Sequence, residues 1–333
     1  MSSHLELPPV ATYSTLNLWN FTLAEDDTTS LDFSCLDSLK AQHTFTGTED
    51  ESWFYMVSVA IEAAGAGFIR SVVRSLENGS VLRRDYSSLT HALSSLSACI
   101  RRLGTILDRM YDKCNPDIFY HQIRPFLAGS KNMTAAGLPR GVYYPDGRGG
   151  GEWMQLRGGS NGQSSLIQLF DVVLGVDHAG NDREKAVSFH QEVRDYMPGQ
   201  HRRFLEHISR LGSIRRLAET ISANIGTMTE EEARFCAAFR EATRILAEFR
   251  NKHLQMVTRY IVIPSRQSSG QQNQMRHPHD AGRHDVVNLA SVSSRTQAGK
   301  AASQLTGTGG TALLPFLKQS RDETYEAGTL IRR

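Results

Sequence analysis

Three groups of residues combine types and spacings that could do chemistry. His253 sits within a stripe of Leu246, Phe249, Met256, Val257 and Tyr260, which recur around it at helical steps. A neutral imidazole projecting from a helix into an apolar slot can hold a metal, and iron in particular. The same spacing equally describes a satisfied core histidine, and by spacing alone that is the commoner case. No second histidine follows at the third or fourth position, which removes a zinc pair on this helix. Arg250 lies one turn earlier and projects to nearly the same side. It is either a surface arginine with its stem packed on the helix or a forked anchor for an anionic group.

The second group is Phe119-Tyr120-His121-Gln122-Ile123-Arg124. An aromatic face can stack on a flat ring while a guanidinium grips a carboxylate through two hydrogen bonds, a pairing suited to an aromatic amino acid. Core aromatics beside a surface arginine would give the same pattern. The third group is a pair of glycine-rich patches, Gly158-Gly159-Ser160-Asn161-Gly162-Gln163-Ser164-Ser165 and Gly307-Thr308-Gly309-Gly310-Thr311. Free backbone N–H groups at a helix start can cradle phosphate, but the first patch lacks the lysine and the preceding strand of a P-loop. Both patches fit better as tight backbone wrapped against a flat cofactor or its ligand. Serine hydrolase chemistry is unsupported, since the sequence contains no Gly-x-Ser-x-Gly elbow.

Helices must position these residues. Phe54, Val57, Ser58, Ile61, Ala64 and Phe68 recur on one face of a helix beginning near Glu51. A second helix is expected from Ser87 to about Cys114, striped by Leu89, Leu93, Leu96, Ile100, Leu103, Leu107 and Met110 and stopped before Asn115-Pro116. Residues 129–165 are irregular and glycine-rich. Helical pattern resumes at Ser164 through Leu174 and again from Ala186 to Tyr196. The longest helix is expected from Thr229, where Thr229-Glu230-Glu231-Glu232 has the capping-box pattern, to Ile263 before Pro264. Residues 265–306 are polar and expected to form a mobile loop, followed by a last helix from Ala312 to about Glu326. Residues 1–50 form a loop-rich N-terminal segment and 51–333 a single all-α domain.

The bulk composition narrows the function classes. The 333 residues are 40% hydrophobic and 22% charged with a net charge of +2, which gives no reason to expect nucleic acid or a membrane surface as partner. The four cysteines, Cys35, Cys99, Cys114 and Cys236, are widely separated, so neither a disulfide framework nor a cysteine-held zinc is expected. No uncharged apolar run reaches the roughly 18 to 20 residues of a membrane span. No signal-peptide pattern opens the chain, and a reducing, cytoplasmic location is the default expectation.

Taken in order, several motifs resemble the indoleamine 2,3-dioxygenase family. They are Leu5-Glu6-Leu7-Pro8-Pro9, Phe54 through Glu62, Asn115 through Arg124, Gly158 through Gly175, Tyr196-Met197-Pro198, His253 through Ile261, and Gly307 through Thr311. The resemblance implies an all-α bundle enclosing haem b, with His253 as the proximal iron ligand. Asp171 and Arg250 then correspond to the family's proximal ion pair that steadies a propionate, and Gly159 and Ser160 lie against the cofactor. Phe54 and Ser58 resemble the distal residues, Phe119 and Arg124 those that pack on the indole and bind the carboxylate, and Ser160 and Thr311 positions lining the substrate pocket. The 265–306 segment resembles the family's mobile active-site loop.

The implied reaction inserts both atoms of O2 across the indole C2–C3 bond of L-tryptophan to give N-formylkynurenine, the first step of the kynurenine pathway. An electron donor that keeps the iron ferrous is implied as partner, and a monomer is expected. Two alternatives stand beside it: an oxygenase for another indole in secondary metabolism, and a haem-binding regulatory protein without tryptophan turnover. Members of the family carry a smaller helical domain ahead of the Leu5–Pro9 motif, so residues 1–50 are expected to be the remnant of the junction with it. Asn161 stands where many members have a smaller residue, and Pro125 directly follows Arg124.

Overall fold

A computed structural model describes residues 2–23, 32–178, 189–267, 307–308 and 313–329. Seven helices of nine residues or more frame the described part: α1 Glu49–Glu77, α2 Tyr86–Asp108, α3 Ser165–Leu174, α4 Gly199–Arg210, α5 Ile214–Ser222, α6 Glu230–Val257 and α7 Leu313–Gly328. Strands are confined to two short antiparallel hairpins, β1 Phe21–Leu23 with β2 Leu39–Ala41 and β3 Val142–Pro145 with β4 Gly151–Met154. The fold is helical, as expected.

The helix starts follow local chemistry. Thr48 caps α1 by accepting from Glu51 N at 3.2 Å, and Glu49, Asp50 and Glu51 place negative charge at the positive end of the helix. Ser164 caps α3, whose end is a left-handed Gly175 at φ 63°. The capping box at Thr229 forms reciprocally with Glu232.

Helices α1, α2, α6 and α7 pack side by side and bury the apolar stripes. Every stripe residue of the second helix, from Leu89 to Met110, is buried. Helix α1 is long and apolar enough, by length and composition, to cross a membrane, whereas half of its most apolar stretch is buried inside the protein against α2 and the N-terminal segment. Gly65 lets α3 approach α1, since a Cβ there would lie 2.4 Å from Leu166 Cδ2.

Four expectations change. Helices α4 and α5, spanning 199–222, lie where no helix is expected; Pro198-Gly199 and Ser213 start them, and their apolar faces rest on only a few large residues, among them Leu205, Ile208, Ile214 and Ile221. Pro264 does not end the longest helix, because a π-helical turn over Thr258–Val262 widens the coil and the chain stays helical to Gln267. The second helix breaks at Arg109 before a short turn, Met110–Lys113. The irregular 129–165 stretch contains the β3–β4 hairpin. The Ala186 start of the 186–196 helix, Thr311 and most of the 265–306 loop lie outside the described residues.

Candidate active site

A cavity of about 250 Å³ opens between α1, α6, α7 and the Gly158–Ser164 loop. Phe54, Ser58, Phe119, Arg124, Gly159, Ser160, Arg250 and His253 all line it. Residues 54, 119, 159 and 253 thus come from four separate parts of the chain, and the tertiary fold brings them to one wall-to-wall space. Asp171 stands behind Arg250, and Thr311 is not among the described residues.

His253 projects from α6 into this space, and neither of its ring nitrogens makes a hydrogen bond among the described residues. Burial, aided by the Arg250 charge, pushes its pKa down to about 4, so the imidazole is neutral at pH 7. A neutral, unpartnered imidazole facing an apolar cavity has the donor character an iron ligand needs.

Arg250 holds Asp171 with one nitrogen 2.6 and 2.7 Å from the two carboxylate oxygens, and also donates to Ser320 O at 3.2 Å and to Thr324 Oγ1. Burial alone would raise the Asp171 pKa, but Arg250 and His178 hold it well below the usual carboxylate range. His178 bridges Asp171 Oδ2 at 3.2 Å and Glu323 Oε2 at 2.6 Å. Burial lowers its pKa, yet the pairing with Asp171 wins and the net shift is upward. His190 stacks on His178 with ring centroids 3.8 Å apart. Burial and the His178 charge push it down to about 3.

Asp171, His178 and His190 offer ligand atoms within 4.8 Å of one another, a grouping with metal-binding composition. Arg250 and His178 already balance the Asp171 and Glu323 carboxylates, and near-parallel imidazoles 11° apart cannot both aim lone pairs at one ion. This group reads as an ionic strut fixing α3, α6 and α7 together. Sequence spacing could not reveal it, because Arg250 and Glu323, which tie the group together, stand far along the chain from Asp171 and His178.

On the other side, the Phe54 and Phe119 rings lie 4.9 Å apart, and Phe119 meets Tyr260 edge-on at 5.7 Å. Arg124 is 1% exposed, with its guanidinium 5.6 Å from the Tyr120 ring centre. Burial pushes its pKa down to about 10, so it remains a cation in an apolar wall. The Gly158-Gly159 backbone runs close to its neighbours: a Cβ on Gly158 would fall 2.0 Å from Leu127 O and one on Gly159 2.6 Å from Leu16 Cδ1. Gly159 O accepts from Thr308 Oγ1 at 2.8 Å, joining the two glycine-rich patches.

Several further residues line the cavity without any motif to mark them. Tyr13, Leu16 and Asn17 from the N-terminal segment complete the wall beside Phe54 and Ser58. Ile167, Phe189 and Phe316 add apolar surface. The cavity is therefore apolar along most of its wall, with a neutral imidazole on one side and a guanidinium with a serine hydroxyl on the other. It suits a flat hydrophobic cofactor together with an aromatic acid.

The sequence profile of the indoleamine 2,3-dioxygenase family matches residues 1–327. An indoleamine 2,3-dioxygenase of Saccharomyces cerevisiae is 38% identical, over 96% of this chain and 68% of the relative. An indoleamine 2,3-dioxygenase of Aspergillus nanangensis is 37% identical, over 98% and 72%. A 6-hydroxytryptophan 2,3-dioxygenase of Fusarium equiseti is 34% identical, over 98% and 72%. On the strength of that match along nearly its whole length, the chain belongs to the indoleamine 2,3-dioxygenase family of dioxygenase oxidoreductases.

Proposed function

We propose that the chain opens the indole ring of L-tryptophan with O2 to give N-formylkynurenine, using a haem held by His253. The observation that carries this is the neutral, unpartnered His253 imidazole lining an apolar cavity that also contains Arg124 and the Phe54–Phe119 pair. Haem, when bound, supplies the activation of O2. The chain's own residues do the rest. His253 ligates, and Arg250, fixed by Asp171, offers its charge to an anionic edge of the cofactor. Gly158 and Gly159 let the loop backbone pack tightly on Leu127 and Leu16, which sets Gly159 and Ser160 at the cavity wall. Arg124 binds the substrate carboxylate, and Phe54 and Phe119 pack on its ring and exclude water.

No general base is asked of the protein, and Ser58 lines the cavity with a hydroxyl group. The four cysteines are free, which suits a reducing cytoplasm that also supplies the electron donor for ferrous iron; we take the working form to be a monomer. A second substrate reading has a specific support. Asn17 and Asn161 put two amides on the cavity wall, and one relative is named for 6-hydroxytryptophan, so a ring-hydroxylated indole in secondary metabolism is the alternative.

The test is direct. The chain is expressed with haem supplied, reduced, and given L-tryptophan or 6-hydroxytryptophan in air while formylkynurenine absorbance is followed. A Soret band without product from either indole overturns the dioxygenase reading and leaves a haem-binding protein. His253→Ala is expected to abolish the Soret band; a variant with a normal ferric spectrum would exclude His253 as ligand.

A further inference from the structure

A second hollow, of about 640 Å³, lies at the other end of α1 from Phe54 and Ser58 and shares no residue with the first cavity. Its walls come from the last turns of α1, the Ser80–Arg83 turn and the start of α2. Arg70 and Arg74 stand one turn apart on α1, and Arg83 joins them from the connecting turn. Left-handed residues at both ends of that turn, Gly79 at φ 71° and Arg84 at φ 55°, fold it back so that Arg83 shares the hollow with α1.

Among the described residues none of these three guanidinium groups donates a hydrogen bond or meets a carboxylate in an ion pair. Arginines elsewhere on the surface do find one: Arg109 binds Asp37 at 2.9 Å and Arg215 binds Glu219 at 3.0 Å. The carboxylates near the hollow are committed. Asp85, the acidic residue in its wall, caps α2 by accepting from Ser88 N at 3.1 Å, and Glu77 meets His207 at 3.3 Å. Three cations beside one carboxylate leave the hollow positive, and a concave protein wall concentrates such a field. Ser87 and Ser88 lie in the first turn of α2, whose dipole adds to that field, and their hydroxyls are further donors. The Ser75 hydroxyl is buried in the same wall and has no hydrogen-bond partner.

We propose that this hollow binds a phosphate ester, with its oxygens shared among Arg70, Arg74 and Arg83. A carboxylate brings one charge and two oxygens, enough for one forked guanidinium. A phosphate monoester brings about 1.5 to 2 charges and three acceptor oxygens, which matches three. The volume leaves room for the organic body as well as the phosphate. That ester is either a free metabolite or a lipid headgroup. Leu82, on the turn that carries Arg83, is 82% exposed and would enter the bilayer in the second case.

The experiment uses the full chain in two arms. Calorimetry measures binding of ribose 5-phosphate, with ribose and acetate as controls. Cosedimentation measures binding to phosphatidylcholine vesicles with and without phosphatidylinositol 4-phosphate. Binding of ribose 5-phosphate above both controls, or of the phosphoinositide vesicles above plain ones, is expected. Arg74→Gln and Arg83→Gln should each weaken it about tenfold, the value of one charge-assisted contact, and Arg70→Gln/Arg74→Gln should weaken it further. These arginines are exposed, so the urea midpoint should stay in place. Leu82→Ser separates the sources: it should reduce vesicle binding and leave ribose 5-phosphate binding unchanged. Binding no stronger than the controls in both arms, or binding that survives Arg70→Gln/Arg74→Gln, overturns the proposal and leaves a solvated basic surface.

Discussion

At the residue scale, the two arginines of the cavity do different work because their partners differ. Arg250 is tied to Asp171, and both side chains are at most 10% exposed. Removing one member of such a pair leaves the other charge uncompensated, at a cost of about 3 to 5 kcal/mol. Asp171→Ala is therefore expected to lower unfolding stability by about that amount in urea titrations of the haem-free protein. A loss below about 1 kcal/mol would show that Arg250 is compensated without Asp171, through its bonds to Ser320 and Thr324. Arg124 lines the cavity and, under the proposed function, meets the substrate carboxylate. Arg124→Ala should weaken tryptophan binding by about 1.5 to 3 kcal/mol, the range for a bond to a charged group, with haem content unchanged. Equal affinity in wild type and variant would remove Arg124 from carboxylate binding.

At the scale of elements, the long helix α6 carries Arg250 and His253 and is held at both ends by different means. Its start depends on the Thr229 capping box, so Thr229→Ala should cost about 1 kcal/mol in urea unfolding. Its far half is braced by α7, through Arg250 to Ser320 and Thr324. The approach of α3 to α1 depends on the missing side chain at Gly65. Gly65→Ala forces Leu166 to move, and overpacking of this kind costs about 1 to 3 kcal/mol; a variant as stable as the wild type would mean that Leu166 finds another rotamer at no cost.

For the whole molecule, acid sensitivity follows from which histidines the fold buries. His190 and His253 have pKa values near 3 and 4, chiefly through burial, against 6.5 for a free side chain. The unfolded chain then binds protons below about pH 6.5 that the folded chain refuses, so stability falls as pH drops from there toward 4. His178 acts in the opposite sense: its raised pKa contributes stability that is complete below about pH 6.5 and is lost as pH rises through its folded value. The melting temperature of the haem-free protein should be lower at pH 5 than at pH 7, and His190→Gln should narrow that difference. A gap that His190→Gln leaves intact would place the acid sensitivity elsewhere.

The sequence by itself determined the framework that local rules govern. The apolar stripes of α1, α2 and α6, the Thr229 cap and the glycine-rich turns are nearest-neighbour properties of a helix or a loop, and motifs in a fixed order carried the family. Periodicity put His253 on an apolar face but could not separate a core histidine from a ligand, since both need the same neighbours. The ordered motifs implied the ligand, and the tertiary structure adds the apolar cavity that His253 faces. The short helices α4 and α5 carry the same kind of signal over fewer residues: Phe204, Leu205, Ile208 and Leu211, then Ile214, Leu217, Ala218 and Ile221, recur at helical steps among many polar groups. The pairings of Tyr13 with Glu62 and of His178 with Glu323 were invisible because each joins residues far apart in the chain, 49 residues for Tyr13–Glu62 and 145 for His178–Glu323. Only the packing of the helices brings such pairs within a hydrogen bond, and so only the tertiary structure decided which polar groups face the substrate and which merely hold the walls in place.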